Sequence, residues 1–272
     1  MIARVLVIAG SDSGGGAGIQ TDIKTVTMLG GHAMTAITAI TAQNTLGVQA
    51  VHAVPTDMVL AQIDSVVSDI GVDAVKIGMI GSAATSNAVA DRLATLGVPI
   101  VFDPVMVATS GSVLADAATI GAFARLMRVA TVTTPNLPEL AALGGEAALL
   151  ADGVTLLVKG GHDAGDDVID RLAYPGGGEA RWSGPRIATR HSHGTGCTLA
   201  SAVATGLAQG LALDVAVDRA ICFVRAALAH APGVGGGHGP MGPAMGAVPF
   251  YHLLAATSTD GWDAAAFAAR WA

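Results

Sequence analysis

The chain has little charge, few aromatic residues and almost no cysteine, and each shortage excludes a class of protein. Only 13% of its 272 residues are charged while 51% are hydrophobic, so a large core is possible and extensive disorder is not expected. The net charge of −7 argues against a surface for nucleic acid or anionic lipid. Two cysteines, Cys197 and Cys222, do not make a disulfide framework, and the cytoplasm is the simplest compartment to expect.

Long apolar runs and basic leader segments are also missing. No uncharged stretch is long enough to span a bilayer, and the apolar start at residues 1–10 has no basic region before it. We therefore expect neither a signal peptide nor a membrane anchor. No linker or fixed-period repeat divides the chain, so we predict one domain over residues 1–272, with a core at about 4–256 and a tail at 257–272.

Short apolar segments alternate with amphipathic segments along most of the chain. The first predicted strand is at 4–9, and Ile19, Ile23 and Val26 then recur at helical spacing until Gly30. Further strands are expected at 34–42, 75–80, 100–102, 131–134 and 155–158, and further helices at 59–70, 85–96, 116–127, 138–150, 198–211 and 215–231. This alternation predicts an α/β fold in three αβα layers, with a mostly parallel central sheet and helices on both faces.

Polar residues or glycines follow nearly every predicted strand. In open α/β sheets, ligands bind beyond the carboxyl ends of the strands. Any one such group is typical of an exposed strand end, but six in register point to one shared crevice. The six are Gly10-Ser11-Asp12, Gln43-Asn44, Gly78-Met79, Asp103-Pro104, Asn136 with Glu139, and Lys159-Gly160-Gly161.

Two of the three lysines occupy informative positions. Lys159 lies between a buried strand and Gly-Gly, where it could reach a phosphate, although an ordinary solvated charge is equally compatible with the sequence. Lys76 lies inside a strand pattern, which favours a structural ion pair.

Two glycine-rich loops each precede a helical pattern. The first, at 10–18, lacks the Lys-Ser/Thr ending of a P-loop and the spacing of a dinucleotide fingerprint, so a simple tight connection is nearly as compatible as a ligand pocket. In the second, the amides of residues 194–197 would sit at a helix N-terminus, a good site for the charge of a transferring phosphoryl group. The helix dipole should favour a Cys197 thiolate and bound phosphates should oppose it, while a small buried hydrophobe is the plainer alternative.

Several common catalytic patterns are missing from the chain. It has no H-E-x-x-H, no paired C-x-x-C and no G-x-S-x-G, so metalloprotease, zinc-site and esterase functions have no support. His193 could contact a substrate or a phosphate, but a hydrogen-bonded structural role is favoured. The segment 233–246, rich in Gly, Pro and Met, is either a flexible loop or a wrap over the active site.

Several motifs follow one another along the chain in a fixed order: IAGSDSGGGAGIQTD at 8–22, TAQNT at 41–45, VKIGM at 75–79, DPVM at 103–106 with Ser110-Gly111, TPNLPE at 134–139, VKGGH at 158–162 and HGTGC at 193–197. Together they resemble the hydroxymethylpyrimidine/phosphomethylpyrimidine kinases, a family of the ribokinase-like superfamily, over about residues 4–240. The resemblance implies ATP-dependent phosphorylation of 4-amino-5-hydroxymethyl-2-methylpyrimidine to its monophosphate and then to the diphosphate, in thiamine biosynthesis. It also implies a homodimer.

The resemblance assigns roles residue by residue. Gln43 would hydrogen-bond the aminopyrimidine, Met79 would pack near the ring, Gly10 and Ala17 would lie against the substrate, and Asp22 would be a polar neighbour of the pocket. Gly194, Thr195, Gly196 and Cys197 would form the anion hole, with Cys197 as candidate base. Asp103 and Glu139 would hold Mg²⁺, through water, and Asn136 and Lys159 would lie near the ATP phosphates.

Two departures and two competing functions accompany this resemblance. The stretch from Glu139 to Lys159 is shorter than in the family, which affects the adenine side most, and the tail after Gly237-His238-Gly239-Pro240 runs on unusually.

A pyridoxal kinase of the same superfamily is the nearest alternative, against which Gln43 and Met79 favour the pyrimidine. A catalytically silent pyrimidine-binding domain is disfavoured by the complete set of phosphate-side residues.

Overall fold

The computed structural model describes residues 2–108, 111–162 and 165–243, and in them nine strands form one sheet. In chain order the strands are β1 (Ala3–Asp12), β2 (Gly31–Asn44), β3 (Gly47–Ala53), β4 (Ala74–Ile77), β5 (Ile100–Phe102), β6 (Val132–Thr133), β7 (Leu156–Val158), β8 (Asp167–Ala173) and β9 (Glu179–Pro185). Their order across the sheet is β3-β2-β1-β4-β5-β6-β7-β8-β9. The inner pairs are parallel, while β3 on one side and β8 and β9 on the other pair antiparallel. The predicted mostly parallel sheet is confirmed.

Helices cover both faces of this sheet. They are α1 (Gly18–Met28), α2 (Thr56–Asp69), α3 (Ala83–Leu93), α4 (Ala117–Val129), α5 (Leu137–Ala142), α6 (Glu146–Ala151), α7 (Thr195–Ala208) and α8 (Leu213–Ala229). Side chains of β1 alternate between the two layers: Val5 and Val7 pack with α1, α7 and α8, whereas Leu6 and Ile8 pack with α2 to α6. This confirms the three-layer prediction and explains why β1 is an unbroken apolar run.

The strand order places a ligand crevice beside β1. The chain runs from β1 to β2 on one side and then, through β3 and α2, to β4 on the other side of β1. Where neighbouring connections of a parallel sheet diverge, a crevice opens at the carboxyl ends of the strands. Gly10 and Met79, at the ends of the two strands concerned, lie at this crevice.

The structure differs from the predicted elements in two ways. The helix expected at 138–150 is broken into α5 and α6, because Gly144 and Gly145 adopt φ values of 103° and 89°, which helices do not contain. Strands β3, β8 and β9 were not predicted, and all three belong to antiparallel additions at the sheet edges. Of the helices in residues 2–108, 111–162 and 165–243, none is long and apolar enough to cross a membrane.

Candidate active site

A cavity of about 970 Å³ lies at the carboxyl ends of the parallel strands. It brings together every site residue predicted from the sequence except Asp22, which is fully buried and does not line it. The residues gathered there are Gly10, Ala17, Gln43, Met79, Asp103, Asn136, Glu139, Lys159, Gly194, Thr195, Gly196 and Cys197. Ser110 of the predicted motif lies outside the described residues, as do positions 244–272.

Two helix N-termini converge on this cavity. Gly194 is the N-cap of α7 in the left-handed conformation, at φ 85° and ψ 10°. A side chain there would also collide with the carbonyl oxygen of Gly16, so glycine is required by the backbone angle and by the neighbouring loop. At the start of α1, the amide of Gly18 donates to the sulfur of Cys197. The positive ends of both helices therefore face the space where a phosphoryl group would be stabilised.

Cys197 is the third residue of α7, which begins three residues before the predicted helix, and its environment decides its charge. Burial raises the pKa of its thiol to about 11. The Lys76 ammonium and the Gly18 amide oppose this rise, while Asp22 and Asp103 add to it. In the free protein Cys197 is therefore a neutral thiol at physiological pH, and the helix dipole does not outweigh burial.

Lys159 forms the centre of a charged cluster opposite α7. Its Nζ lies 2.7 Å from Asp103 Oδ1 and 3.6 Å from Glu139 Oε2. Thr134 Oγ1 also donates to Asp103 Oδ1, at 3.1 Å. Burial alone would lower the pKa of Lys159, but the two carboxylates outweigh it and the pKa is raised. Lys159 is consequently a permanent cation in the cavity wall rather than a solvated surface charge.

Asn136 and Glu139 fix each other through the first turn of α5. The Glu139 amide donates to Asn136 Oδ1 and the Asn136 amide donates to Glu139 Oε2, both at 2.8 Å. This reciprocal capping box orients the Glu139 carboxylate toward Lys159. The segment between Glu139 and Lys159 is thus anchored at both ends in the charged cluster.

Beneath the cavity lies a second ion pair. Lys76 Nζ is 2.9 Å from Asp22 Oδ2, and Ser201 Oγ donates to Asp22 Oδ1 at 2.7 Å. The structural pair predicted for Lys76 is confirmed. Asp22 supports the floor of the site through this pair and has no surface on the cavity.

Asp12 and His193 join the two glycine loops. Asp12 accepts the amides of Gly14, Gly16 and Ala17 at 2.8 to 3.0 Å. His193 Nε2 lies 3.0 Å from Asp12 Oδ2 and 3.1 Å from Gln43 Nε2. The hydrogen-bonded role favoured for His193 is therefore confirmed. The sequence contained no signal that Asp12 and His193, far apart in the chain, are partners.

Residues 233–243, which we call the C-terminal strap, pack against the loops that carry Thr45 and His193, beside the site. The amide of His193 donates to Gly239 O at 3.1 Å, and the Gly237 amide donates to Thr45 Oγ1 at 3.3 Å. A side chain at Gly237 would collide with the carbonyl of Thr45. The described part of the segment 233–246, which ends at residue 243, contacts these neighbouring loops, and none of its residues lines the cavity.

The cavity also has apolar walls that sequence reasoning did not assign. They come from the segment after β5 and from β9 and α8, and include Val105, Met106, Leu114, Trp182, Ile221 and Val224. None of these residues stands out from ordinary core residues in the sequence, because only the fold brings their elements to the same space.

Together, the sheet order, the converging helix N-termini and the Lys159 cluster define an α/β protein of the ribokinase-like class. The chain belongs to the phosphomethylpyrimidine kinase family, whose model matches residues 12–242, and it is thus a phosphotransferase by family. It is 49% identical over 252 residues to a hydroxymethylpyrimidine/phosphomethylpyrimidine kinase of Streptomyces coelicolor, covering 87% of this chain and 93% of the relative.

Two further comparisons bear on activity. A thiamine biosynthesis bifunctional protein ThiED of Geobacter sulfurreducens is 45% identical over 93% of this chain, which matches 52% of that longer protein. The ADP complex of a Bacillus subtilis pyridoxal kinase superimposes with a TM-score of 0.81 at 29% identity, over 91% of this chain and 100% of the other. The fold is therefore shared with kinases named for two different substrates.

Proposed function

We propose that this protein uses ATP to phosphorylate 4-amino-5-hydroxymethyl-2-methylpyrimidine and then its monophosphate, giving the diphosphate for thiamine biosynthesis. One observation carries the proposal: a single cavity joins the Gln43 and Met79 side to the Lys159 cluster across the two helix N-termini. The names of the Streptomyces and Geobacter relatives agree with this substrate and this pathway.

On the substrate side, the proposal gives each residue one task. Gln43 offers a carboxamide, with both donor and acceptor, to the amino group and adjacent ring nitrogen. Met79 supplies an adaptable apolar contact for the ring. The Met79 methyl group also occupies the space that a side chain at Gly10 would need, so Gly10 keeps the floor of the pocket flat.

On the phosphate side, the protein aligns the reacting groups and neutralises the charge of the phosphates. The substrate hydroxyl oxygen attacks the γ-phosphorus, ADP leaves, and the amides of residues 194–197 with Lys159 stabilise the charge on the transferring group. Cys197 takes the hydroxyl proton late in the transfer, as its thiolate. Because the free protein holds Cys197 as a thiol, only the minor thiolate fraction can act as this base.

Mg²⁺ fits the two carboxylates of the charged cluster. Hydrogen bonds to the Asp103 side chain from the described residues go to Oδ1, and Oδ2 lies 3.5 Å from the position that a Gly196 side chain would take. Glu139 likewise uses Oε2 for its protein contacts. Mg²⁺ keeps several waters and binds through one or two carboxylates and substrate phosphates, where it neutralises phosphate charge.

Pyridoxal kinase activity is the second candidate, favoured by the structural similarity to the Bacillus enzyme. The deciding experiment measures ADP formation with Mg²⁺ for hydroxymethylpyrimidine, its monophosphate and pyridoxal side by side. Turnover of both pyrimidines in preference to pyridoxal supports the proposal. Preference for pyridoxal would reassign the substrate while leaving the phosphate-side roles, and no turnover of the three would refute a kinase of either kind.

Homodimerisation and a cytoplasmic location complete the proposal. The edge strand β3 and the turn before it expose Val51 at 53% and Leu46 at 72%, an apolar edge that a second copy could cover. Sedimentation of the protein and of the Val51→Glu variant tests this: a dimer that dissociates on substitution supports it, and a monomer contradicts it. ATP as phosphoryl donor supports the cytoplasm, which fractionation can test.

A further inference from the structure

Three residues from distant parts of the chain form a hydrogen-bonded row that ends at the substrate side of the cavity. Asp12 Oδ2 lies 3.0 Å from His193 Nε2, which lies 3.1 Å from the end of the Gln43 carboxamide. Asp12 is 3% exposed and His193 is 7% exposed, so water competes little for these contacts. In the catalytic roles above, Gln43 is used but Asp12 and His193 are not.

The charge of Asp12 determines which nitrogen of His193 carries hydrogen. Burial would raise the pKa of Asp12, but hydrogen bonds from His193 and from the Ala17 and Gly14 amides outweigh it, and the pKa is lowered. An ionised carboxylate only accepts hydrogen bonds. Nε2 of His193 must therefore carry a hydrogen, because a bare Nε2 would place two lone-pair-bearing atoms against each other at 3.0 Å.

The same reasoning fixes the direction of the Gln43 carboxamide. A protonated His193 Nε2 cannot accept from the Gln43 amide nitrogen that lies 3.1 Å away. At the other end of the carboxamide, 3.2 Å away, Thr41 Oγ1 donates its one hydrogen to the Ser11 carbonyl at 2.8 Å and can only accept. After a half-turn of the carboxamide, its oxygen shares the Nε2 hydrogen of His193 with Asp12 Oδ2 in a three-centre hydrogen bond, and its nitrogen donates to Thr41 Oγ1.

In this orientation the carboxamide keeps one lone pair and one hydrogen side by side for a ligand. A 4-aminopyrimidine presents the complementary pair, an amino hydrogen next to a ring nitrogen. A carboxamide free to turn would offer the wrong pattern part of the time and would bind such a ring less well. Pyridoxal has no amino group beside its ring nitrogen, so it gains less from a fixed orientation.

We propose that Asp12 and His193 are positioning residues that fix the orientation of the Gln43 carboxamide and thereby set selectivity for a ring with an amino donor beside a nitrogen acceptor. The inference rests on the proposed function, in which Gln43 binds the aminopyrimidine. It assigns specificity to Asp12 and His193, which line the cavity and act through Gln43.

The test pairs a protein change with a substrate change. His193→Leu removes the Nε2 hydrogen, and His193→Gln restores a donor at a similar reach. Each is assayed with 4-amino-5-hydroxymethyl-2-methylpyrimidine and with the analogue that lacks the 4-amino group. We expect the unchanged protein to show a KM preference for the amino compound of about tenfold or more, which is the usual worth of oriented hydrogen bonds. His193→Leu should lose most of that preference with a smaller change in kcat, and His193→Gln should retain it.

The outcomes separate the inference from the proposed function. If the unchanged protein turns over neither compound, the proposed function fails. If it turns over the amino compound but His193→Leu keeps the full preference, the inference alone fails. His32→Leu, an exposed histidine at the start of β2, is the control and should change neither value. Should His193→Leu not fold by circular dichroism, Asp12→Asn gives the same comparison, and ¹⁵N NMR of the unchanged protein must find Nε2 of His193 protonated, since a bare Nε2 would overturn the inference.

Discussion

Lys76 and Asp22 lie 2.9 Å apart with both side chains completely shielded from solvent. Burial alone would lower the pKa of Lys76, but the Asp22 carboxylate, with Asp103, outweighs it and the pKa is raised, so the ammonium is retained. The pair crosses from β4 to α1 and is tied to α7 by Ser201. The ion pair thus joins the sheet to α1, and the hydrogen bond from Ser201 extends the link to α7, so that both helices whose N-termini form the site are connected to the sheet.

Replacing only one member of this pair should be costly. Lys76→Met leaves a buried carboxylate without its cation, and we expect a loss of about 3–5 kcal/mol in the free energy of unfolding, measured in urea. The double variant Lys76→Met with Asp22→Leu should recover most of that loss. Arg125→Ala, which breaks an exposed pair with Asp91, is the control and should cost at most about 1 kcal/mol. Equal losses for the buried and exposed pairs would contradict the assignment.

The raised pKa of Cys197 predicts a rate that increases with pH. A base whose pKa is about 11 is mostly protonated near neutrality, so its active thiolate fraction grows about tenfold for each pH unit below that value. Lys159 stays cationic over the same range because its pKa is raised. We therefore expect kcat/KM for hydroxymethylpyrimidine to rise steadily between about pH 7 and pH 9.

Cys197→Ala is the matched variant for this profile. It should lower kcat by roughly 10²- to 10⁴-fold, with little change in substrate affinity, and flatten the pH dependence. Cys222→Ala, at the exposed cysteine, should leave both unchanged. Near-normal turnover by Cys197→Ala would remove the thiol from the mechanism.

Glycine is expected to be needed for activity at position 196 because a side chain there would crowd its neighbours, not because of the backbone angle. A methyl group there would lie 3.1 Å from Lys159 Nζ and 3.5 Å from Asp103 Oδ2. Gly196→Ala should therefore displace the cation that faces the phosphates and lower kcat about tenfold or more, since misplacement by a fraction of an ångström is costly in phosphoryl transfer. Gly121→Ala in α4 meets no atom within 4 Å and should instead add about 0.5–1 kcal/mol of stability at unchanged turnover. Parallel assays and thermal melts of the two variants distinguish these effects.

Asn136→Ala should affect stability and activity together. Loss of the helix cap is expected to cost about 1 kcal/mol, because the Glu139 amide loses Asn136 Oδ1 as its acceptor. The cavity also loses the Asn136 side chain from its wall, while the Asn136 backbone amide still donates to Glu139 Oε2. Asp116 caps α4 by accepting the Thr119 amide at 2.8 Å, away from the cavity. Asp116→Ala should therefore cost a similar amount in urea unfolding while turnover is unchanged, and a loss of turnover in both variants would show that stability alone is responsible.

The parallel core was predictable because its strands are buried on both faces and its helices are amphipathic. Strand 100–102 was placed with the correct bounds, since Ile100, Val101 and Phe102 form a fully apolar segment between helices. β3 was missed because it is exposed at the edge, where burial imposes no apolar pattern on the sequence. The break in the helix at 138–150 depended on backbone angles at Gly144 and Gly145 that spacing alone does not reveal.

For the site, motifs at the strand ends identified the polar groups but not their partners. Lys159 could be placed near Asp103 because parallel strands end at one edge. The contact between Asp12 and His193 depends on how two loops pack, and the apolar walls depend on elements that the sequence does not mark as neighbours. The charge of Cys197 also required the structure, since it follows from burial among Lys76, Asp22 and Asp103.

The C-terminal strap has a consequence for biosynthesis on the ribosome. All nine strands and eight helices of the described chain precede residue 233, whereas the strap supplies the acceptor for the His193 amide and covers Thr45. Every strand of the sheet is thus synthesised before the segment that holds the His193 loop. Translation order places the contacts of the strap with His193 and Thr45 after synthesis of all the described strands and helices.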